Sequence, residues 1–375
     1  MLSCGMNIDD YNIELLAAVE RNDSVGVARL LPLANPKHND SKALQMAAEA
    51  GYTECVKLLI PASEPHARYN TALVKAARNG HVECVELLIP VSNLQNRGGQ
   101  ALRQAARYGH LDCVLALLPV SDPNDMDGGA LVDAASNGHI QCVDVLLPLT
   151  DPQNYPTALF LTANDGHLEC VQKLMTLCDP KKDDSGALRM AAEEGHPQCV
   201  QLLIPVSNPK AKGNYALIKA AENGHAECVK LLIPVSSPNA QCSAALQYAT
   251  KNGHTHCVEQ LFDLCKNKLY RNNCLYLAAR YGHAETLQWL LPRTNPKFDN
   301  SEALLVSVLE GNLECAKILY SVSNYKKVYE KLLSEYGAAH DSDWVKIWDE
   351  ATQHHQHTQL SQITAHVGKT QRRKI

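Results

Sequence analysis

This sequence predicts an all-α fold, a curved solenoid of about eleven helix-turn-helix copies, and three observations predict it. The first is a period. Cys55, Cys84, Cys113, Cys142, Cys170, Cys199, Cys228 and Cys257 follow one another at 29 residues, with a single step of 28. The second is the content of each interval: two apolar patterns of helical spacing parted by a glycine, as in ALRQAARYGHLDCVLALLPVSDP at 101–123 and ALIKAAENGHAECVKLLIPVSSP at 216–238. The third is punctuation by proline, which cannot continue a helical hydrogen-bond ladder.

The cysteine ladder extends back to Gly26 and forward to Thr286 and Cys315, giving eleven copies between about residues 12 and 322. In each copy the first helix is expected to begin near Asn12, Ser41, Asn70, Ser185, Asn214, Ser243, Asn272 or Ser301, whose side chains suit an N-cap. Gly99, Gly128 and Pro156 take that place in the others. Glycine closes the first helix at positions such as Gly51 and Gly80, where the chain must turn through a left-handed conformation. Proline ends the second helix at Pro32, Pro61, Pro90, Pro119, Pro148, Pro205, Pro234 and Pro292. Helices this short are marginal alone, so the hairpins must stack. Alanine pairs such as Ala76 with Ala77 and Ala105 with Ala106 dominate the first helix, so the first helices can approach closely and the stack should curve with them on the inside.

Past residue 322 the pattern lapses. Trp344 and Trp348 stand four apart beside Ile347, on one face of a predicted helix that would cap the last hairpin; the alternative is a docking helix for a partner. His354, His355 and His357 read as a solvated polar tail rather than a metal patch, and the closing QRRKI as a frayed end.

The pattern ALxxAAxxGHxxCVxLLIP resembles the ankyrin repeat, whose usual form is a helix beginning TPLHxAA, a GH turn, a second helix ending VxLLL and a hairpin loop. The resemblance covers roughly five-sixths of the chain. It implies an ankyrin-like array over 1–322, with a helical C-terminal cap and polar tail over 323–375. Two departures stand out: the Thr-Pro and its His are replaced by variable residues, and the copy is about four residues shorter than the usual 33. The missing residues fall in the loop, so shortened fingers, tight turns with little β-hairpin, are expected.

At 375 residues with a net charge of -5 and both signs interspersed, the chain is no wholesale nucleic-acid binder. No apolar run approaches a membrane span, and the opening MLSCGMNIDDYNIE lacks the basic and apolar regions of a secretory signal. The Gly-His-x-x-Cys element, as in His110 and Cys113 or His225 and Cys228, suggests a metal or a nucleophile. Zinc, however, needs three or four ligands around one ion, and packed helices repeat at about 8 to 10 Å. The next copy is therefore too far away to complete a shell. The same spacing rejects a disulfide ladder. The cysteines read as buried small hydrophobes in a reducing, cytoplasmic compartment. Nothing pairs a nucleophile with an orienting base, and no Gly-rich phosphate loop is present. No enzyme, metal, cofactor, membrane or small-molecule substrate is expected.

If the repeated residues hold the stack together, recognition falls to those that vary. Lys75, Arg78, Arg103, Arg107 and Tyr108 form one basic, aromatic stretch; Glu193, Glu194 and Glu222 follow as an acidic one; then come Tyr248, Lys251, Tyr270, Arg271, Tyr276, Arg280 and Tyr281. Tyrosine and arginine are enriched at binding hot spots, so this clustering marks candidate partner-binding residues. The resemblance implies a protein partner, with the array as adaptor, scaffold or inhibitor, or as an effector of the kind viruses and intracellular bacteria deliver to a host cytosol. Two other readings stand beside it. One is nucleic-acid binding through the Arg, Lys and Tyr patches, disfavoured by the acidic stretch and the net charge, which would show steep salt dependence. The other is an array that positions a recruiting segment after residue 322.

Overall fold

The structure, a computed structural model, describes residues 7–93, 98–236, 242–336 and 345–358. Cys4, Trp344 and QRRKI, and the side chains of Cys242 and Ser243, lie outside the described set. Close backbone contacts divide the chain into two units, Met1–Met190 and Ala191–Ile375.

The first unit is a stack of helical hairpins: α1 (Ile8–Glu20) with α2 (Ser24–Leu30), α3 (His38–Ala50) with α4 (Thr53–Leu59), and α5 (Ala67–Arg78) with α6 (Val82–Leu88). It continues with α7 (Gly98–Arg107) and α8 (Leu111–Leu117), α9 (Asp125–Ser136) and α10 (Ile140–Leu146), and α11 (Tyr155–Asp165) and α12 (Leu168–Leu174). Helix α13 (Lys182–Glu193) carries the chain from one unit to the other. The second unit holds α14 (Pro197–Leu203), then α15 (Ala211–Glu222) with α16 (Ala226–Leu232), and α17 (Cys242–Lys251) with α18 (Thr255–Phe262). The pairs α19 (Lys268–Arg280) with α20 (Ala284–Leu290) and α21 (Glu302–Leu309) with α22 (Leu313–Tyr320) follow, then α23 (Tyr325–Tyr336) and α24 (345–358).

Within each unit the first helices pack on one another more extensively than the second helices do, as in α3 on α5 against α4 on α6, or α15 on α17 against α16 on α18. Alanine is the cause: Ala47, Ala48, Ala76, Ala77, Ala220 and Ala221 are wholly buried and leave no bulk between neighbouring backbones. The second helices, mostly seven residues long, fill the wider layer with buried Cys, Val and Leu, for example Cys84, Val85 and Leu88. Burying each Val or Leu contributes on the order of 1.5–3 kcal/mol, which a two-turn helix lacks when isolated. Most second helices then tighten into a 3₁₀ turn whose middle residue is proline, as at Ile60–Ala62, Leu118–Val120 and Ile233–Val235. Tight turns replace the β-hairpin of the usual finger, and no strand occurs among the described residues.

Ser301 stands at the N-cap of α21 without a side-chain cap bond, and the other expected caps fall inside their helices. Several of these residues are buried instead: Ser41, Asn70, Asn214 and Ser301 are at most 2% exposed. The side chains of Ser41, Asn70 and Ser301 reach 23 residues forward to the loop that leaves the second helix. Ser41 Oγ accepts from Glu64 N–H at 2.8 Å and Ser301 Oγ from Asn324 N–H at 2.9 Å. Asn12 Oδ1 takes the Asn35 N–H at 2.7 Å, and Asn70 both accepts from Asn93 N–H at 3.0 Å and donates to Asn93 O at 2.7 Å. Each closes its own copy like a staple. The helical turn they would have begun starts earlier and passes through left-handed backbone first: Asn39, Asp40 and Ser41 have φ of 50, 57 and 61°, and Asp183, Asp184 and Ser185 repeat this at 52, 56 and 60°. Such residues cost about 1–2 kcal/mol each, least for Asn, Asp and Gly, which explains the N, D and G enrichment of these loops. Helix α1 carries a capping box, through Asn7 and Asp10.

At the C-terminal end of the second unit, Trp348 of α24 is 6% exposed, edge-on to Tyr320 at 5.2 Å and stacked on Tyr329 at 5.2 Å. Tyr320 in turn stacks on Tyr325 at 4.9 Å. Together these rings pack around Tyr320 at the end of α22.

Candidate protein-binding face

The Gly-His pair ties successive copies together. Gly51 and Gly80 end α3 and α5 with φ of 75 and 78°, a conformation that side chains rarely adopt. The imidazole of the next copy's His81 or His110 lies directly over each of them, where any Cβ would collide. The outer nitrogen of the ring then meets the end of the previous first helix: His81 Nε2 donates to Glu49 O at 3.1 Å, His110 Nε2 to Arg78 O at 2.9 Å, and His283 Nε2 to Lys251 O at 2.7 Å. Asparagine before the glycine adds a second tie, Asn79 Nδ2 to Glu49 O and Asn252 Nδ2 to Glu222 O at 2.6 and 2.7 Å. These histidines are therefore spent on orphan carbonyls at helix ends.

The cysteines are as inert as their packing. Cys113, Cys170, Cys228, Cys257 and Cys315 are at most 1% exposed, and burial pushes their thiols up to about 11; Cys274 rises to about 12. A nucleophilic or metal-binding cysteine needs the opposite shift. Among the described residues no three His, Cys, Asp or Glu side chains are grouped to hold a metal ion.

Among the candidate recognition residues the tyrosines at the helix ends face solvent, while several of the cations are already engaged by neighbouring copies. Lys75, Arg78, Arg107 and Tyr108 occupy the C-terminal ends of α5 and α7; Tyr248, Lys251, Arg280 and Tyr281 occupy the same four register positions on α17 and α19, offset by 173 residues. In both sets the cation two residues before the glycine lies over the tyrosine of the following copy. Arg78 is 5.2 Å from the Tyr108 ring centre and Lys251 is 5.5 Å from that of Tyr281. Tyr108, Tyr248 and Tyr281 remain 42, 41 and 43% exposed. Lys75 also pairs with Glu49 at 2.6 Å. Arg280 reaches Tyr276 Oη at 3.4 Å, Glu310 at 3.4 Å and the Tyr281 ring at 5.8 Å; its pKa is raised, first by Tyr276.

A family model described as ankyrin repeats, three copies, matches residues 15–90, 44–127, 131–214, 188–271 and 246–331. The chain belongs to the ankyrin-repeat family. Ankyrin arrays are in general modules for protein–protein interaction, so the exposed side chains of this one are where a site is to be sought. Among solved structures, the crystal structure of the human ASB11 ankyrin repeat domain is similar over 46% of this chain and 95% of that one, at 22% identity and a TM-score of 0.37. No curated protein gives a significant match. No helix among the described residues is long and apolar enough to cross a membrane.

Two candidate positions, Arg271 and Arg103, are bonded within the ankyrin framework, and a third, Tyr270, lies apart from the rest. Arg271 donates to Cys265 O at 2.6 Å and Asp263 O at 3.1 Å and covers the Phe262 ring at 4.9 Å, closing the end of α18. Arg103 is drawn onto Asp133, Nε to Oδ2 at 2.5 Å, a bond that raises its pKa. Tyr270 is 40% exposed but starts α19, about 15 Å along the helix from Arg280 at 1.5 Å per residue. The acidic stretch is likewise partly neutralised, since Lys219 lies 3.6 Å from Glu193 and 2.9 Å from Glu222. Glu49, Asp133 and Glu310, the anions that set these positions, went unread because each lies about one copy away from its partner; searching for opposite charges near 26 to 30 residues apart would have found them.

Proposed function

We propose that this ankyrin array is a non-catalytic scaffold or adaptor that captures a protein through the exposed ends of its first helices and the adjoining loop tips. One observation carries the reading. The same four-position device, two exposed first-helix ends with a cation laid over the next copy's tyrosine, occurs once in each unit, as Lys75, Arg78, Arg107 and Tyr108 and as Tyr248, Lys251, Arg280 and Tyr281. At this position three other copies carry an Asn that ties helix ends, Asn79, Asn223 and Asn252, a bond that tyrosine forgoes for a large, half-exposed ring. Pre-ordered aromatic and cationic side chains lose little entropy on docking and make effective anchors. Residues 1–322 supply the array in this proposal, and 323–375 cap it. The cytoplasm is its place of work, where the buried thiols stay reduced.

Affinity purification from the native cell tests this, comparing the wild-type chain with a Tyr248→Ala, Lys251→Ala, Tyr281→Ala triple variant. The partner should co-elute with the first and not the second, at unchanged melting temperature. Undiminished capture by the variant sinks the proposal.

A further inference from the structure

A groove runs between consecutive first helices beside the loops, and several copies fill it from within. In the first unit Arg103 of α7 lies against Gly129 of α9, with its guanidinium on the Asp133 carboxylate and 3.5 Å from Met126 Sδ. One step on, Phe160 of α11 lies against Gly186 in the same way. At the loop edge of this groove Arg68 pairs with Asp40 of the preceding copy.

In the second unit the equivalent place, between α19 and α21, is open. It forms a cavity of about 260 Å³ whose walls include Tyr276, Phe298, Asp299, Glu302 and Asn273. Tyr276 stands at the register of Arg103 and Phe160, Glu302 at that of Gly129 and Gly186, and Asp299 at that of Met126 and Arg68. Two rings and two carboxylates thus line a groove in which other copies seat a ring or a guanidinium of their own. One carboxylate charge is left over. Lys331 Nζ lies 3.2 Å from Glu302, and Arg280 beside Tyr276 is matched by Glu310 at 3.4 Å. Asp299 has no ion pair among the described residues.

We propose that this cavity is a subsite for the guanidinium of an arginine side chain presented by the bound protein. The source of that arginine rests on the protein-binding reading above; the chemistry of the pocket does not. A planar, weakly hydrated guanidinium stacks on the Tyr276 and Phe298 rings while its N–H edge donates to Asp299 and Glu302. A lysine ammonium offers neither the flat face nor the fork, and a neutral isostere offers no charge.

Methyl NMR of the full chain, reading Leu275 and Ala303, tests it with three probes: N-acetyl-arginine amide, N-acetyl-lysine amide and N-acetyl-citrulline amide. The arginine probe should shift both methyls saturably, with lysine at least three-fold and citrulline at least ten-fold weaker. The double variant Asp299→Asn, Glu302→Gln, whose melting temperature serves as the folding control, should weaken the arginine response at least ten-fold. Equal responses to arginine and citrulline, equal responses to arginine and lysine, or an unchanged response in the double variant would each overturn the assignment. The Tyr248, Lys251, Tyr281 triple variant should titrate normally with arginine, so failure of the pocket and failure of the proposed face are read separately.

Discussion

The imidazole of His81 occupies the space that a side chain on Gly51 would need. One copy's turn is therefore shaped by the next copy's histidine, and the Gly-His pair is one contact seen from two repeats. Gly51→Ala is expected to cost about 1–3 kcal/mol from left-handed backbone alone, with a further loss as the ring is displaced. In Gly51→Ala, His81→Ala the displacement is absent, so the double variant should be less destabilised than the sum of the singles by about 1 kcal/mol. Because repeat arrays need not unfold in one step, hydrogen exchange at amides of α3 to α6 is the proper readout. Additive losses would show that the two residues do not touch.

Asn70 ties its own copy closed through Asn93. Replacing it with alanine should remove both bonds and cost about 1–3 kcal/mol locally. The amide of Asn93 should lose exchange protection while the first turn of α5 keeps its own. A residue acting as a helix cap would give the reverse pattern.

Alkaline pH should weaken the array through its thiols. Cys113, Cys228 and Cys257 have an ordinary value of 9.0 and are raised by burial to about 11 in the fold. Between those values the unfolded chain has released the proton and the folded one retains it, so stability is full below pH 9 and falls as the pH rises toward 11. Melting temperatures taken across that window should decline. The slope should flatten in Cys113→Ala, Cys228→Ala, even though that variant starts from a lower stability because of the cavities it creates. An unchanged slope would assign the alkaline loss to other groups.

Trp348→Ala should open the cover over Tyr320 and Tyr329 at a cost of about 3–5 kcal/mol, confined to the end of the second unit. Exchange protection is expected to fall in α22 and α23 and to hold in α15 and α16. Uniform loss across both would mean that the second unit melts as a single block.

The hairpins were legible because their signals are local. Gly80 and His81 mark one turn, Pro61 and Pro90 mark the ends of second helices, and Ala76 and Ala77 mark the face that packs closest, all within a dozen residues of what they determine. The candidate face was legible only in part. Lys75, Arg78, Arg107, Tyr108, Tyr248, Lys251, Arg280 and Tyr281 fall into two matched sets, whereas Arg103 and Arg271, identical in type, are held by Asp133 and by the carbonyls of Cys265 and Asp263. Composition cannot separate an exposed arginine from one already bonded.

By itself the sequence determined the period, the helix-turn-helix unit, and the division between repeated and variable positions, since helix propensity, glycine turns and proline stops act over a few bonds of chain. The tertiary structure alone decided what Ser41 and Asn70 hold, which cations remain available, and where a groove is left unfilled beside Tyr276. Those outcomes depend on side chains 23 to 32 residues apart that meet only when each hairpin closes and the hairpins stack. The partner in each case is chosen by packing distance and not by proximity along the chain.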